Sequence, residues 1–425
     1  MYEAISVEEM NKPAVALCNK GFLLDAASSA SVKGMPGVRI VLETVSPHST
    51  VIEEIEAGVG TAMDDIIAAL TKPLTAEEKS PKPKEVEKFA RIVFKGNLEE
   101  VNQFFYKRGW TDGLPITPPT EEAVSQMLTG TDLKPDHVVA KIIPRLGKAT
   151  IEKIAINAIM AGALPTYMPV LIAGVIAAYG PKSKRGPWQL GSTLSPAPFW
   201  IINGPVRNDL HVNFSSGILN PGDMANAAIG RALGLIVKNI GGIRKGVEDM
   251  AVIGNPVKYT TVLAENEEES PWEPQHVEQG FNKGDSTITV GVGNAFRIVT
   301  ANGTDDKGIL SAVVQSLSGD SNASFYLILP PQYAKILSDS GWTKKDIEDF
   351  FLTAMPGNRD SSGSTPNVFL TRGVQVIVAG GPGPCWMGML KAFGGKGVTQ
   401  KVELPANWDK LVAKYRNLVP TYARY

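Results

Sequence analysis

The residues best suited to proton transfer lie in an acidic segment, 259–276, that begins as a β-branched stretch and ends in Pro, Trp and His. Charged groups at a strand end destabilise a fold unless they are solvated, paired or bound to a cation. Glu265 and Glu267, together with His276, are therefore candidates for general acid and base groups or for hard metal ligands. Asn266, between the two glutamates, could orient a carbonyl group.

The alternative for this segment is a solvated acidic loop anchored by Trp272. A further alternative is a metal-assisted hydrolase in which the acidic loop 265–276 holds the ion. The histidines at 48, 137 and 211 are isolated, and the sequence has no Cys/His cluster with the spacing of a zinc site. We assign no metal ligand, and the sequence does not identify a cofactor.

A second candidate is the segment 215–231, where a Gly/Ser-rich loop leads into a predicted helix. A helix N-terminus attracts anions because its free N–H groups and its dipole point outward. Asn226 and Arg231 lie near one face of this helix, and Arg231 could clamp a carboxylate or phosphate in a bidentate way. The segment is neither a Walker loop nor a GxGxxG loop, so ordinary capping with a surface or ion-paired arginine is the alternative.

An apolar strand candidate leads to Asn203, and a Gly-Pro turn follows directly. Strand ends of α/β sheets are the usual place for ligands, which makes Asn203 a candidate substrate-binding residue. The alternative is an Asx turn, in which the side chain bonds its own backbone.

The proline-rich segment 108–120 contains Trp110, Thr111 and Asp112. Prolines fix the backbone here, so the segment is either a rigid connection with Trp110 in the core or one rim of a pocket with Thr111 and Asp112 facing the ligand. We keep Asp112 as a candidate catalytic group and Trp110 and Trp272 as candidate substrate contacts.

A buried strand candidate ends in the glycine-rich loop 379–383. Glycine lets a ligand approach the backbone closely, so Gly381 is a candidate binding position. Cys385 follows, but a cysteine with no base nearby in sequence is more typical of an inert buried thiol than of a nucleophile.

The elements that must position these residues follow from hydrophobic periodicity and caps. The spacing predicts helices over 150–160, 167–179, 223–239, 308–317 and from Thr343 toward residue 351. It predicts strands over 199–202, 258–263, 286–290, 296–300, 325–329 and 374–378. Strands and helices mix without strict alternation, so the predicted fold class is α/β, leaning to α+β.

The chain divides into three predicted parts. Residues 1–71 have a βαβα rhythm that is too short for a closed doubly wound sheet, and we expect a partner chain to complete this partial domain. Residues 72–84 carry prolines and charges and are typical of a linker. Residues 85–425 form the predicted main mixed α/β domain.

The composition of the chain argues against nucleic acid and membrane as partners. The apolar fraction is 43% and the formal net charge is −1, so the chain lacks the basic surface that nucleic acid requires. The longest apolar stretch, 168–179, is too short to span a membrane, and no basic amphipathic helix favours a membrane surface. Two cysteines and an acidic N-terminus without an apolar run lead us to expect a cytoplasmic protein.

Several segments together resemble a bacterial family linked to the UGSC proteins, which are named for a selenocysteine-or-cysteine, Gly, Ser, Cys motif. The resemblance covers roughly residue 109 to the end, and 13–70 resembles the second half of the small thiol domain of that family. Its matching segments are 110–115, 118–120, 203–205, 229–231, 264–267, 270–272 and 378–383. The half that would carry the motif is absent here, so the resemblance implies a second subunit that supplies the Cys or Sec.

We therefore expect one subunit of a heteromeric enzyme that acts on a small polar or anionic substrate, by lyase or thiol-dependent redox chemistry. In this prediction Glu265 and Glu267 move protons, Asn203 and Asn266 hold a carbonyl or carboxylate, and Arg231 offsets charge. A non-catalytic scaffold or binding subunit is the alternative from a different class.

Overall fold

The N-terminal part folds into a small parallel layer. The computed structural model describes residues 1–45, 49–79, 90–183, 193, 195–303, 305–317, 324–354, 373–383, 386–393 and 396–419. Its first elements are α1 (Tyr2–Glu9), β1 (Val15–Asn19), α2 (Leu23–Val32), β2 (Arg39–Glu43) and α3 (Ile52–Thr71). β1 pairs with β2 in parallel, and these two strands make up the whole sheet of this part in the described residues.

This layer leaves apolar side chains in solvent. Leu17 on β1 and Leu42 on β2 are 49% and 45% exposed. α3 buries only the small residues Gly58 and Ala62 against the layer, while larger apolar side chains of the helix stay outside. The exposed members of this set on α3 are Ile52, Ile55, Met63, Ile67 and Leu70.

The predicted linker is partly structured. It contains the helical turn α4 (Ala76–Lys79), and residues 80–89 of the stretch that follows lie outside the described part of the chain. Arg39 donates to the carbonyl groups of Ala69, Lys72 and Pro73 and to the carboxylate of Glu78. One guanidinium therefore satisfies the open carbonyl end of α3 and fastens α4 to the N-terminal layer.

The main body contains the remaining elements. In chain order they are α5 (Leu98–Lys107), α6 (Glu121–Leu128), β3 (Val138–Ile142), β4 (Gly147–Thr150), α7 (Ile151–Met160), α8 (Met168–Tyr179), β5 (Ala197–Asn203), α9 (Val206–Asp209), α10 (Met224–Gly241), β6 (Val262–Ala264), α11 (Gln275–Glu278), β7 (Thr287–Thr300), α12 (Asp306–Ser316), β8 (Ser324–Leu329), α13 (Pro331–Asp339), α14 (Lys344–Ala354), β9 (Val374–Val378), β10 (Trp386–Ala392), β11 (Val398–Lys401) and α15 (Trp408–Tyr415).

One mixed sheet organises this body. Its strand order is β6-β5-β7-β10-β8-β9, and β11 pairs with the first part of β7 on the edge opposite β5. β5 and β6 are parallel, as are β8 and β9, while the pairings through β7 and β10 are antiparallel. The mixture confirms the predicted α/β class with its α+β character.

The side chains of these strands pack into three hydrophobic cores, and each strand described below contributes to two of them. Trp200 and Ile202 face a core shared with α7, α8 and α10, and Phe199 and Ile201 face an inner core. Tyr326 and Ile328 of β8 face the same inner core, while their neighbours on β8 pack against α12, α13 and α14. Because side chains of successive strand residues point to opposite faces, the two halves of the sheet must lie against each other.

Two contacts show that the sheet folds back on itself. The rings of Phe199 and Tyr326 meet edge to face with centroids 4.9 Å apart, although their strands are not neighbours in the sheet. The backbone N–H of Asn266, just after β6, donates to the carbonyl of Val378 at the end of β9, at 2.7 Å. The two edges of the sheet therefore approach each other at the end where β6 and β9 finish.

Three strand predictions were wrong in detail. The predicted strands 286–290 and 296–300 are one long strand, β7, which runs through Gly291 and Gly293. A Cβ at Gly293 would lie 1.9 Å from the carbonyl oxygen of Lys391, so these glycines allow close strand packing and do not end the strand. The predicted strand 258–263 is only Val262–Ala264, because Pro256 begins a 3-10 turn.

Other elements had no clear signal in the sequence. The β3/β4 hairpin and the strands β10 and β11 were not predicted, since their residues are short, mixed or glycine-rich. Among the helices of the described residues, none is both long and apolar enough to cross a membrane.

Candidate functional site

Five side chains meet where β5 and β6 end, and we call them the strand-end cluster: Asn203, Arg207, Glu265, Glu267 and Lys344. β5 and β6 are parallel, so their carboxyl ends lie at one edge and bring Asn203 beside Glu265. The Nδ2 group of Asn203 donates to Glu265 Oε2 at 2.7 Å and to Glu267 Oε1 at 3.1 Å. One amide therefore holds the two carboxylates that the sequence marked for proton transfer.

Glu265 is fully buried and both of its oxygens are engaged. Oε2 accepts from Asn203 and from the backbone N–H of Gln275 at 2.8 Å, and Oε1 faces the ammonium of Lys344 at 3.3 Å. Lys344 is itself 8% exposed and also donates to the carbonyl of Glu273 at 2.7 Å. A fully buried carboxylate with partners on both oxygens is suited to position its neighbours.

Glu267 has a different environment. Its Oε1 accepts from the backbone N–H of Gly204 at 2.7 Å and from Asn203, and it lies 3.2 Å from Nε of Arg207. Its Oε2 has no hydrogen bond from any residue of the described ranges, and the side chain is 9% exposed. Two hydrogen bonds and one ion pair on Oε1 fix this carboxylate, while Oε2 accepts no hydrogen bond from the described residues.

Arg207 contacts two residues of the acidic loop, Glu265 and Glu268. Its guanidinium is 3% exposed and donates to the Glu265 carbonyl at 2.7 Å and to both oxygens of Glu268 at 3.0 and 3.1 Å. The hydrogen bond from Arg207 lowers the pKa of Glu268, against the opposing effect of burial. The local turn explains its placement: Gly204 adopts a φ of +81°, Pro205 starts α9, and α9 carries Arg207 under the acidic loop.

An opening of about 360 Å³ adjoins this cluster. Arg207 forms part of its wall, and the guanidinium lies 5.0 Å from the ring centroid of Phe214, which lines it as well. The other lining residues are Asn208, His211, Val212, Asn213, Ser215 and Asp223. The cluster therefore meets this opening at Arg207, and exposure to solvent falls from Glu268 through Glu267 to the fully buried Glu265.

The cluster continues into the interior of the folded sheet. Ile201 and Leu263 face the inner core, so Asn203 and Glu265, two residues further along the same strands, face the same side. α11 covers this end and brings His276 and Gln279 to it. We call Asn203, Glu265, His276, Gln279 and Thr287 the polar interior.

Several buried atoms of the polar interior have no hydrogen-bond partner within the described ranges. They are Asn203 Oδ1, both ring nitrogens of His276, Gln279 Nε2 and Thr287 Oγ1. A buried polar group without a partner costs about 1–3 kcal/mol, so native proteins supply water or a ligand at such places. The concentration of these atoms in one place is consistent with a bound polar molecule or a group of waters.

Tyr326 closes the polar interior from the side of β8. Burial raises the pKa of Tyr326 to about 12, against the opposing effect of the hydrogen bond that its hydroxyl accepts from the N–H of Gly397. The hydroxyl therefore stays protonated near neutral pH and can serve as a donor.

Two predicted site residues hold the backbone. Asn226 is buried and bonds the backbone of Asn213 in both directions as well as the carbonyl of Val262 at 3.0 Å. Asn266 accepts from the N–H of Glu269 and donates to the Glu269 carboxylate, both at 3.2 Å. Both amides shape the loops around the opening, and neither offers a free group to a ligand.

The predicted tryptophans lie away from the strand-end cluster. Trp110 packs edge to face on Phe104 and Phe105 at the margin of the first core. Trp272 packs against the core of α12–α14 and donates from Nε1 to the carbonyl of Trp342 at 3.1 Å. Their roles here are structural anchoring of the segments 108–120 and 265–276.

Gly381 supports the loop that lines the opening. A Cβ at this position would lie 1.9 Å from Oγ of Ser216, and the N–H of the preceding Gly380 donates to the carbonyl of Phe214 at 3.0 Å. The glycine-rich loop thus admits a neighbouring loop of the protein at the place where the sequence suggested a ligand. Cys385 and His48 lie outside the described residues.

Asp112 and Arg231 form a separate site. Nε of Arg231 donates to Oδ2 of Asp112 at 2.7 Å, and Nη2 donates to Oδ1 at 2.9 Å and to the carbonyl of Pro115 at 2.8 Å. This bidentate pair lines a cavity of about 270 Å³ that the strand-end cluster does not share. The guanidinium already clamps a carboxylate of its own chain.

Sequence reasoning missed Arg207 and Lys344. Arg207 closely follows an Asn-Gly-Pro turn, and its acidic partners lie about sixty positions later in the sequence. In the sequence, the one notable property of Lys344 is that it follows the predicted helix cap Thr343. The one available signal was the excess of glutamates in 265–269, which requires cations from elsewhere if the segment is buried.

The alternative of a metal-assisted hydrolase has no suitable set of metal ligands in the ranges that the structure describes. No three His, Cys, Asp or Glu side chains there come together in a way that could hold a metal ion. Glu265 and Glu268 bond to Lys344 and Arg207, and His276 lies inside the sheet with free nitrogens.

No family model, no curated protein sequence and no solved structure matches the chain.

Proposed function

We propose that this chain is one subunit of a heteromeric enzyme and that the strand-end cluster acts on a small polar or anionic substrate. Glu267 would be the general base, Arg207 and Lys344 would balance the local negative charge, and Asn203 would orient a polar group of the substrate through its free Oδ1. The substrate would enter through the opening beside Arg207. Lyase or thiol-dependent redox chemistry is the reaction class that we carry forward from the resemblance.

The observation that carries this proposal is the single free oxygen of Glu267. A general base must be held in place and still have a lone pair within reach of the substrate. The contacts of Oε1 with Gly204, Asn203 and Arg207 provide the first condition, and Oε2, which accepts no hydrogen bond from the described residues, provides the second. Glu265 supports this arrangement, because it orients Asn203 from the other side.

A partner subunit is the second part of the proposal. The two-stranded parallel sheet with exposed Leu17 and Leu42 supports it, since parallel sheets are normally covered on both faces and extended at their edges. Burial raises the pKa of Cys18 on β1, so this thiol is poorly suited to act as a nucleophile. The partner would add strands to the N-terminal layer and bring the reactive Cys or Sec.

A non-catalytic scaffold is the second candidate function. It is favoured by the number of predicted site residues that hold only the protein itself, namely Asn226, Asn266 and Trp272. In that case the polar interior would hold structural water, and the chain would stabilise its thiol-bearing partner.

The two candidates separate in a metabolite-profiling experiment. The full complex, purified from cells that express it, is incubated with a small-molecule extract of those cells, and depleted compounds are followed by mass spectrometry. The wild-type complex is compared with Glu267→Gln and with the matched variant Glu268→Gln, whose carboxylate is half exposed and bonds Arg207.

If the complex is an enzyme that uses Glu267, the wild-type complex and the Glu268→Gln complex deplete the same compound. The Glu267→Gln complex is then intact but has no turnover. Full turnover by Glu267→Gln would reject the general-base role. A wild-type complex that depletes nothing would favour the scaffold.

A further inference from the structure

A second cavity lies at the far end of β5 from the strand-end cluster. It has a volume of about 270 Å³, and Pro198, near the start of β5, is part of its wall. Asn203 of the cluster ends the same strand, so the two places are about 17 Å apart along the strand. We call this the Arg231 cavity, and its geometry is independent of Glu267 and of the proposed function.

The walls of the Arg231 cavity carry more positive than negative charge. Four cations and two carboxylates line it: Arg231, Lys238, Lys245 and Lys258, with Asp112 and Asp249. Arg231 pairs with Asp112 and Lys258 pairs with Asp249, each at 2.7 Å. Two lysines therefore remain without a carboxylate partner among the described residues.

These two lysines differ in their surroundings. Lys238 extends from the last turns of α10 and donates to the carbonyl of Gly109. Burial lowers the pKa of Lys238, against the opposing effect of Asp112, which shows that this ammonium is partly removed from water. Lys245 is exposed at the rim, in the turn that follows α10. A partly buried cation without a counter-charge attracts an anion to the cavity.

Apart from Asn255, the remaining side chains of the wall are largely apolar. Pro198, Leu235, Val237 and Ile243 line it, and the ring of Tyr259 is half exposed at its edge. An inorganic ion would leave this surface uncovered. A small organic acid could place its carboxylate at Lys238 and Lys245 and its apolar body against these side chains.

We propose that the Arg231 cavity binds a small organic carboxylate with an apolar or aromatic body. The ammonium groups of Lys238 and Lys245 take the carboxylate. The Arg231–Asp112 pair is a fixed part of the wall, because Nε and Nη2 of Arg231 already donate to Asp112 and to the carbonyl of Pro115.

Calorimetric titration of the full chain with benzoate and with acetate, at constant ionic strength, tests this site. Wild-type protein binds benzoate at one site and more tightly than acetate. Lys238→Met and Lys245→Met each weaken benzoate binding by about fivefold or more, as expected for the loss of one charge-assisted contact. Lys335→Met, which removes an exposed lysine paired with Asp339, leaves binding unchanged.

Equal benzoate affinity in wild type and in both lysine variants would overturn the proposal. Acetate or chloride binding as tightly as benzoate would also overturn it, since the apolar wall would then contribute nothing. Circular dichroism and thermal melting of the two variants establish that each is folded. Glu267→Gln should bind benzoate like wild type, so failure of this inference is distinguishable from failure of the proposed function.

Discussion

The backbone N–H of Gly204 donates a 2.7 Å hydrogen bond to Oε1 of Glu267 across 63 residues of sequence. The bond joins the turn after β5 to the loop after β6 and fixes Oε1 of Glu267 at the strand ends. Gly204 can make it because its φ of +81° turns the N–H toward the carboxylate.

Substitution of Gly204 by Ala should destabilise the protein by about 3 kcal/mol or more. A Cβ would lie 2.2 Å from the carbonyl oxygen of Asp285, in addition to the strain of a positive φ. The measurement is urea unfolding. Gly280→Ala is the matched control, because Gly280 has a φ of +91° with nothing within 4 Å, so its loss should be only about 1 kcal/mol. Equal losses in the two variants would mean that the contact with Asp285 does not exist.

Lys344→Met should lower the free energy of unfolding by about 3 kcal/mol, because it leaves the buried carboxylate of Glu265 without its counter-charge. The neighbouring Lys345 provides the control. It is exposed and pairs with Asp349 one turn away, so Lys345→Met should change stability by about 0.5 kcal/mol or less. Guanidinium unfolding of both variants checks the difference, and a small effect of Lys344→Met would show that Glu265 is reached by solvent.

Acid should loosen the contact between the N-terminal layer and the main body. Burial opposes ionisation of Glu248, but hydrogen bonds from Arg244 and from Ser28 of α2 outweigh it and lower the pKa of Glu248 from 4.5 to about 2. A lowered carboxyl pKa contributes stability above the ordinary value, and that stability is lost as the pH falls from about 4.5 toward 2.

Hydrogen exchange of α2 between pH 5 and pH 3 (the range of the loss) measures this effect, after correction for the intrinsic exchange rate. Glu248→Gln should show the loosened state already at neutral pH and lose the acid dependence, at a stability loss of about 1–3 kcal/mol. An unchanged acid dependence in Glu248→Gln would assign the effect to other carboxylates.

The exposed apolar face of the N-terminal layer should control assembly. Leu42→Lys should prevent co-purification of the partner subunit, since it places a charge in the face that the partner would cover, and it should leave the melting temperature of the isolated chain nearly unchanged. Ile253→Lys changes a residue that is 95% exposed on the main body and serves as the control. Retention of the partner by Leu42→Lys would place its contact elsewhere.

The sequence was sufficient for elements with strong periodicity or a clear cap. The helices at 151–160, 168–179 and 224–241 and the strands at 324–329 and 374–378 lie within a few residues of their predicted bounds. β7 was predicted as two strands because glycines at 291 and 293 normally weaken a strand. The close contacts that require glycine at these positions are seen only in the structure, where the side chain of Phe199 and the carbonyl of Lys391 lie against them.

The candidate site was predictable only in part. Asn203, Glu265 and Glu267 come together because strand ends of a parallel pair share an edge, which sequence reasoning can anticipate. The pairing of Glu265 with Lys344 depends on the folding of the sheet onto itself, which no local pattern encodes, and the pairing of Glu268 with Arg207 depends on the turn that follows β5. For the same reason Asp112 and Arg231 were grouped with the glutamates although they line another cavity.

The most direct test of the account is native mass spectrometry of this chain, isolated at its natural expression level from the cells that make it. The account predicts an assembly with a second polypeptide that carries a Cys- or Sec-containing motif and that dissociates in the Leu42→Lys variant. A monomer that turns over its substrate without any other chain would contradict it.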